Sequence, residues 1–487
     1  MSSIQQHSES PLTIVVIGAS GDLARKKVFP ALFALYCQKS LPQRFHVVGL
    51  ARTPMTPERF RERVVEHLTC RYTPEQHCGE RMNEFLARCS YVAGQYESSD
   101  SFVDLYAAMK EQEGTRGDAN RIYYMAIPPF LFLPVARAIG DAGLVSCATA
   151  APWSRVVIEK PFGSDRKSSD ELVASMAQVF TEEQTFRIDH YLGKEVIQNL
   201  LVLRFANQIF APMWNSSCIS AVEISWREDI GVGDRGGYFD KYGIIRDVMQ
   251  NHLLQILALV AMEQPESLTA HHVRNEKVRV LRHVAPLPLG NVVLGQYGPG
   301  TLKGVDQRGY LEEGSVPEGS RTPTFAAAVL HVGTSRWHGV PFLIRAGKGL
   351  DARMTEIRIR FKPVAKNLFA QVMDTLPSNE LVVRIQPDEA ISFRIVNKAP
   401  GLEMQLVETE LDLQYKSKFR ETIPDAYESL LLDVIRGDKG LFIRSDELAA
   451  AWDIFTPLLH EIERRDVQPR LYPFGSEGPA HEADSGA

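Results

Sequence analysis

Two short stretches concentrate groups able to move protons and hold anions. Arg187-Ile188-Asp189-His190-Tyr191-Leu192-Gly193-Lys194-Glu195 sets a carboxylate, an imidazole and an ammonium within a few residues of one another. Further on, Asp247-Val248-Met249-Gln250-Asn251-His252 opens an apolar run, and a helix is predicted over 247–262 with His252 near its N-terminal turn. A lone histidine beside an apolar face is ordinarily a satisfied core residue. Two polar clusters flanked by core-like sequence are harder to read that way, because buried charge needs a partner or a purpose. Glu159-Lys160-Pro161-Phe162-Gly163 adds a lysine at the end of a predicted strand, where open α/β sheets bind ligands.

A third motif suits phosphate. Gly18-Ala19-Ser20-Gly21-Asp22-Leu23-Ala24 follows an apolar run and leads into Arg25, Lys26 and Lys27. Glycine there lets a backbone approach a pyrophosphate, and a helix N-terminus favours its charge. The spacing is GxxGxxA rather than GxGxxG, so a plain tight turn is the competing reading. The next predicted strand ends in Gly49-Leu50-Ala51-Arg52, with no carboxylate to hold ribose hydroxyls. Arg52 can stack on adenine and pair with a 2′-phosphate, which selects NADP over NAD; a surface arginine at a strand end is the alternative.

The elements that must position these groups follow from periodicity. Leu12–Ile17, Phe45–Leu50, Ile122–Ile127 and Val156–Ile158 are continuous apolar runs, as strands buried on both faces would be. Thr56 can cap a helix with Pro57 at its first position and Phe60, Val64 and Leu68 on one face. Alternating strands and helices predict a doubly wound parallel sheet. Beyond about residue 190 the period becomes two: Val222, Ile224 and Trp226 alternate with Glu223, Ser225 and Arg227, and Ile357, Ile359 and Phe361 with Arg358, Arg360 and Lys362. One wet and one dry face predict an antiparallel sheet. Helices accompany it, one of them capped by Ser445 and followed by Asp446 and Glu447. Pro286 to Pro323 reads as a long excursion.

The fold class is thus α/β plus α+β. A Rossmann-like NADP-binding domain over 11–190 precedes a larger domain over 191–474 with a mostly antiparallel sheet and helices, and 1–10 and 475–487 are flexible tails.

The chain has 487 residues, 54 Lys plus Arg against 60 Asp plus Glu, and a net charge of −6, the reverse of what coating a nucleic acid requires. The partner expected is a small anionic molecule, with no nucleic acid and no membrane, since no apolar run is long enough to span one. The N-terminus carries no apolar leader pattern. Cys37, Cys70, Cys78, Cys89, Cys147 and Cys218 form no CxxC pair and match no zinc spacing. They are expected to be reduced thiols in a cytoplasmic protein.

Taken together, the motifs GASGDLA (18–24), EKPFG (159–163), RIDHYLGKE (187–195), RGGYFDKYGIIRDVMQNHLLQ (235–255), RAGKGL (345–350) and RSDELAAAWDIFTPLLHEIE (444–463) closely resemble those of the glucose-6-phosphate dehydrogenases. The resemblance implies oxidation of D-glucose 6-phosphate to 6-phospho-D-glucono-1,5-lactone with hydride transfer from C1 to NADP, the first step of the oxidative pentose phosphate pathway. It implies that His252 is the general base and Asp189 the carboxylate orienting it. His190, Tyr191 and Lys194 match phosphate-binding residues. Glu228 and Asp247 match acceptors for sugar hydroxyls, and Lys348 and Arg353 match later basic residues of the substrate site. Lys160 matches a lysine bridging substrate and cofactor, and Pro161 a proline that is cis in the family. Gly18, Ala19, Ser20, Gly21, Asp22, Leu23 and Arg52 match the cofactor site.

The resemblance further implies self-association through the second domain, as a homodimer or homotetramer, and a mechanism that needs no metal. Trp226-Arg227 stand before Glu228 where many members have Phe-Lys, and Met354 stands where some animal members use lysine for a second, structural NADP, so that site is not carried over. Two rivals are a sugar oxidoreductase of the glucose–fructose type, which lacks His-Tyr-x-x-Lys, and an inactive sugar-phosphate sensor, which would have lost His252 or Asp189.

Overall fold

The computed structural model describes residues 10–114, 119–146, 152–419 and 422–479. Six parallel strands form the first sheet, in the spatial order Cys89–Ala93, Phe45–Ala51, Leu12–Ile17, Asn120–Met125, Ser154–Glu159, Thr185–Ile188. The order runs outward from the first strand in both directions, so a crevice opens where Leu12–Ile17 meets Asn120–Met125. Every residue of Leu12–Ile17 is buried, which is why its sequence does not alternate. The strand Asn120–Met125 ends two residues short of the expected Ile127, where the Ala126 carbonyl packs against Gly18. Thr56 caps the helix Pro57–Val65 as expected, its hydroxyl accepting from the Arg59 N–H at 3.2 Å.

Nine strands form the second sheet, in the order Leu406–Gln414, Ala390–Lys398, Glu380–Gln386, Met354–Phe361, Ile219–Arg227, Pro341–Gly347, Phe325–His331, Val292–Gly298, Arg470–Pro473. It is mostly antiparallel, with a correction at two places: Ile219–Arg227 runs parallel to Pro341–Gly347, and Arg470–Pro473 parallel to Val292–Gly298. Periodicity reports which face is wet but not strand direction. The stretch expected to be an excursion supplies Val292–Gly298 to this sheet.

Two long helices line one side of the junction. The first runs from Gly236 to Ala261, with a break at Gly243 (φ 65°) and an all-buried final stretch Leu254–Ala261. His252 therefore lies about two turns beyond the break at Gly243 and not in the first turn of its helical segment. The second, Ser445–Arg465, starts one residue earlier than expected: Arg444 is the extended cap residue, and Ser445 is already helical.

The C-terminal segment returns to the first sheet. Tyr427, Leu430, Leu431, Val434 and Phe442 join the core beneath Leu12, Ile14, Phe29 and Phe33, and Phe442 packs edge-on against Phe186 at 4.8 Å. Two further expectations are corrected. Cys70 and Cys78 form a disulfide, their Cα atoms 5.8 Å apart across one turn and within bridging range. Cys37, Cys89 and Cys218 are free, and Cys147 lies outside the described residues. Residues 475–479, expected in a flexible tail, pack instead: the Gly475 N–H donates to the Gly349 carbonyl at 2.8 Å and the Asp351 N–H to the Ser476 carbonyl at 3.0 Å. The rest of that tail, 480–487, and residues 1–9 lie outside the described residues. No described helix is long and apolar enough to cross a membrane.

Candidate active site

The strand Thr185–Ile188 ends at the crevice and delivers Asp189 and His190 into it, while the Gly236–Ala261 helix delivers Asp247 and His252 from the other side. Asp189 Oδ1 lies 2.5 Å from His252 Nδ1 and accepts the Tyr191 N–H at 2.9 Å. Burial by itself would raise the Asp189 carboxyl, but the facing His252, its hydrogen bond and the nearby His190 hold it down at about 2. Burial lowers His252 below 6.5, with Asp189 opposing and Lys160 reinforcing. His190 stands edge-on to His252 with ring centres 4.7 Å apart, and the Tyr191 ring stacks on His252 at 4.4 Å. His190 is also held well below 6.5, first by burial and then by the field of His252.

Lys194 donates to Gln386 Oε1 at 3.0 Å and lies over the Tyr191 ring, whose hydroxyl accepts the Trp226 indole N–H at 2.6 Å. Burial lowers Lys194, while Glu389 and Asp425 oppose it. The Trp226-Arg227 variation therefore contributes directly, Trp226 fixing Tyr191 and Arg227 pairing with Asp351. Glycine is required at 193, where a Cβ would sit 2.6 Å from the Ala426 carbonyl oxygen. That close approach brings Tyr427 behind His190, the two rings nearly parallel at 6.3 Å.

A second group surrounds the junction. Lys160, on the N-terminal side of the cis Lys160–Pro161 bond, donates to the Asp247 carbonyl at 2.5 Å and its Oδ1 at 3.2 Å. Burial would raise Asp247, but Lys160 and Lys348 bring it to about 2. Lys348 donates to Glu228 Oε2 at 2.6 Å, and the Glu228 main chain is clamped between Gly347 and Leu350. Arg353 is exposed, and its charge reaches Lys194. Glu159, fully enclosed, accepts the Tyr124 hydroxyl at 2.5 Å, and burial pushes it up to about 7 against that bond and one from Tyr427.

The glycine loop lies at the crevice mouth. Gly18 has φ 89°, and a Cβ there would meet the Ala126 carbonyl oxygen at 2.3 Å. The Gly18 and Ala19 N–H groups are tied to the Leu50 carbonyl and the Gly21 N–H to the Gly18 carbonyl. Ser20 and Leu23 are part-exposed, and Asp22 is turned outward in ion pairs with Arg25 and Lys26. Arg52, exposed at the end of its strand, lies over the Tyr96 ring at 5.4 Å.

The residues singled out in the sequence thus fall into two places: Asp189, His190, Tyr191, Lys194, Lys160, Asp247, His252, Glu228 and Lys348 at the junction, and Gly18–Leu23 with Arg52 at the carboxyl ends of the first two strands. Gln386, Tyr427 and Glu389 were not singled out; Gln386 ends an ordinary strand, Tyr427 lies in an ordinary helix and Glu389 in the turn between two strands, and only the fold brings them to the site. Asp189, His190 and His252 also offer donor atoms within 4.8 Å of one another, as a metal would need. Asp189 and His252 direct their facing atoms at each other, which suits a proton-sharing pair.

Family models match nearly the whole chain: "Glucose-6-phosphate dehydrogenase, NAD binding domain" over residues 15–199 and "Glucose-6-phosphate dehydrogenase, C-terminal domain" over residues 201–486. The chain belongs to the glucose-6-phosphate dehydrogenase family. The chloroplastic glucose-6-phosphate 1-dehydrogenase of Spinacia oleracea is 52% identical over 97% of this chain and 82% of its own length. The glucose-6-phosphate 1-dehydrogenase of Dictyostelium discoideum is 48% identical over 97% and 93%. Among solved structures, a glucose-6-phosphate dehydrogenase in complex with its substrate glucose-6-phosphate superposes with a TM-score of 0.90 at 41% identity, covering 98% of this chain and 96% of that one. A glucose-6-phosphate 1-dehydrogenase from Mycobacterium avium gives a TM-score of 0.79 at 32% identity, covering 96% of each. Neither the glucose–fructose-type oxidoreductase nor the inactive sensor draws support from these matches.

Proposed function

We propose that this chain oxidises D-glucose 6-phosphate at C1 to 6-phospho-D-glucono-1,5-lactone with NADP as the oxidant, feeding NADPH production through the oxidative pentose phosphate pathway. The observation that carries the reading is the buried Asp189–His252 pair at 2.5 Å, flanked by Lys160, His190 and Lys194.

Oxidising the anomeric carbon requires loss of the hydroxyl proton along with the hydride. With Nδ1 engaged by Asp189, His252 presents Nε2 as the base, and the carboxylate stabilises the imidazolium as it forms. An imidazole needs little adjustment for this work near neutral pH. His190, Tyr191 and Lys194 hold the phosphate, so that binding at the far end of the sugar orients C1. Glu228 and Asp247 accept sugar hydroxyls, Lys348 and Arg353 fix them electrostatically, and Lys160 stands between sugar and oxidant.

The residues at the crevice mouth fit a dinucleotide. Gly18 lets the loop close against the Ala126 carbonyl, and the part-exposed Ser20–Leu23 turn is left to face a pyrophosphate. Arg52, exposed at its strand end and backed by the Tyr96 ring, suits a 2′-phosphate and an adenine face. NADP, when bound, supplies the hydride acceptor.

A homodimer or homotetramer is proposed on exposed Leu402, Met404, Leu411 and Phe419 around the sheet edge, a surface that assembly would cover. A cytoplasmic location is proposed on the free thiols Cys37, Cys89 and Cys218, with the Cys70–Cys78 bond pointing the other way; recovery from plastids would instead match the name of the spinach relative. The deciding experiment follows NADPH absorbance with glucose 6-phosphate, glucose and galactose 6-phosphate side by side. Preference for glucose 6-phosphate by orders of magnitude is expected, and equal rates with free glucose would overturn the reading.

A further inference from the structure

Asp247 and His252 stand five residues apart, yet both turn to the junction, Asp247 bonded to Lys160 and His252 to Asp189. In an α-helix five residues turn through about 500°, leaving the two side chains about 140° apart. Ile245–Leu253 is instead a π-helix between α-helical neighbours. Its i→i+5 bonding brings residues five apart nearly above one another. The wide turn is therefore what lets one helix offer the site both a carboxylate and an imidazole.

Such turns are rare and need something to hold them against relaxation to the α-helix. Asn251 does so from inside the turn. Its Nδ2 donates to the carbonyls of Arg246 at 3.1 Å and Asp247 at 3.2 Å, and its Oδ1 accepts the His252 N–H at 2.7 Å. The Asp247 carbonyl also receives Lys160 at 2.5 Å. One side chain thus ties together the main chain of both functional residues. A carboxamide suits this because it combines a two-hydrogen donor with an acceptor. Aspartate would keep the acceptor for His252 but turn a charged oxygen toward two carbonyls.

We propose that Asn251 is a positioning residue for the oxidation, fixing the π-turn that sets Asp247 and His252 on one face. The inference rests on the function proposed above. It is tested in the full-length chain with Asn251→Ala and Asn251→Asp. The readouts are kcat, KM for glucose 6-phosphate, the pH profile of kcat/KM, and far-UV circular dichroism to normalise for folded protein.

Displacing a base by about an ångström costs on the order of 100-fold, so kcat per folded molecule is expected to fall 10- to 100-fold in both variants. KM is expected to rise by less than kcat falls, because Asp247 moves with the turn while the phosphate contacts His190 and Lys194 lie on another element. The acid limb is expected to move to lower pH as His252 loses its close contact with Asp189. Variants with the wild-type kcat and acid limb, or whose loss of rate only tracks loss of folded protein, would overturn the proposal. A wild-type chain inactive with glucose 6-phosphate overturns the function above and this inference with it. An active wild type with unaltered variants overturns the inference alone.

Discussion

Asp189 and His252, 63 residues apart in the chain, meet at 2.5 Å in a buried contact that joins the end of a parallel strand to the middle of a helix. Burial favours the neutral imidazole, Asp189 partly opposes it, and the net displacement is below 6.5. Only the neutral ring can accept a proton, so kcat/KM is expected to fall as pH drops through a pKa below that value. Above it, this group leaves the rate unaffected. A pH–rate profile checks this; an acid limb centred above neutrality would contradict it.

Replacing the base should separate chemistry from binding. His252→Asn is expected to lower kcat by roughly 10²–10⁴, with glucose 6-phosphate affinity nearly intact, as loss of a general base predicts. Steady-state kinetics combined with ligand-induced thermal shift measures both quantities. Undiminished turnover in the purified variant would remove His252 from that role.

At the carboxyl end of the second strand, Arg52 pairs with no carboxylate among the described residues and lies over the Tyr96 ring. Arg52→Ala is expected to weaken NADP about tenfold or more and NAD much less, since a charged hydrogen bond contributes about 1.5–3 kcal/mol. Titration with each dinucleotide decides it. Parallel losses would mean that the arginine does not read the additional phosphate.

Lys194 is half-buried, held by Gln386 and by the Tyr191 ring. Lys194→Ala is expected to raise KM for glucose 6-phosphate by about 10-fold or more and to leave the slow oxidation of free glucose nearly unchanged. The ratio of the two specificity constants is the measurement, and equal effects on both would argue against phosphate contact.

Much of this architecture was legible because its causes are local. Leu12–Ile17 is apolar on both faces because both faces are covered, and Thr56 followed by Pro57 is a complete helix start. Asp189 and His252 stood out as polar residues beside core sequence. What escaped reading depends on distance or on a single-residue change of pitch. The π-turn adds one residue per turn and leaves no periodic trace. Gln386 is one polar residue in an alternating strand, and the Cys70–Cys78 bond depends on where a turn places two Cα atoms. Parallel pairing of Ile219–Arg227 with Pro341–Gly347 leaves the same wet-and-dry alternation as antiparallel pairing.

The return of the C-terminal segment has a consequence for biosynthesis. Tyr427, Leu430, Leu431, Val434 and Phe442 fill the core beneath strands made from the first fifty residues. A ribosome releases those strands hundreds of residues before their covering arrives. The early half of the nascent chain must therefore wait with an oily face uncovered, a natural client for chaperones, and a fragment ending near residue 190 would inherit the same exposed patch permanently.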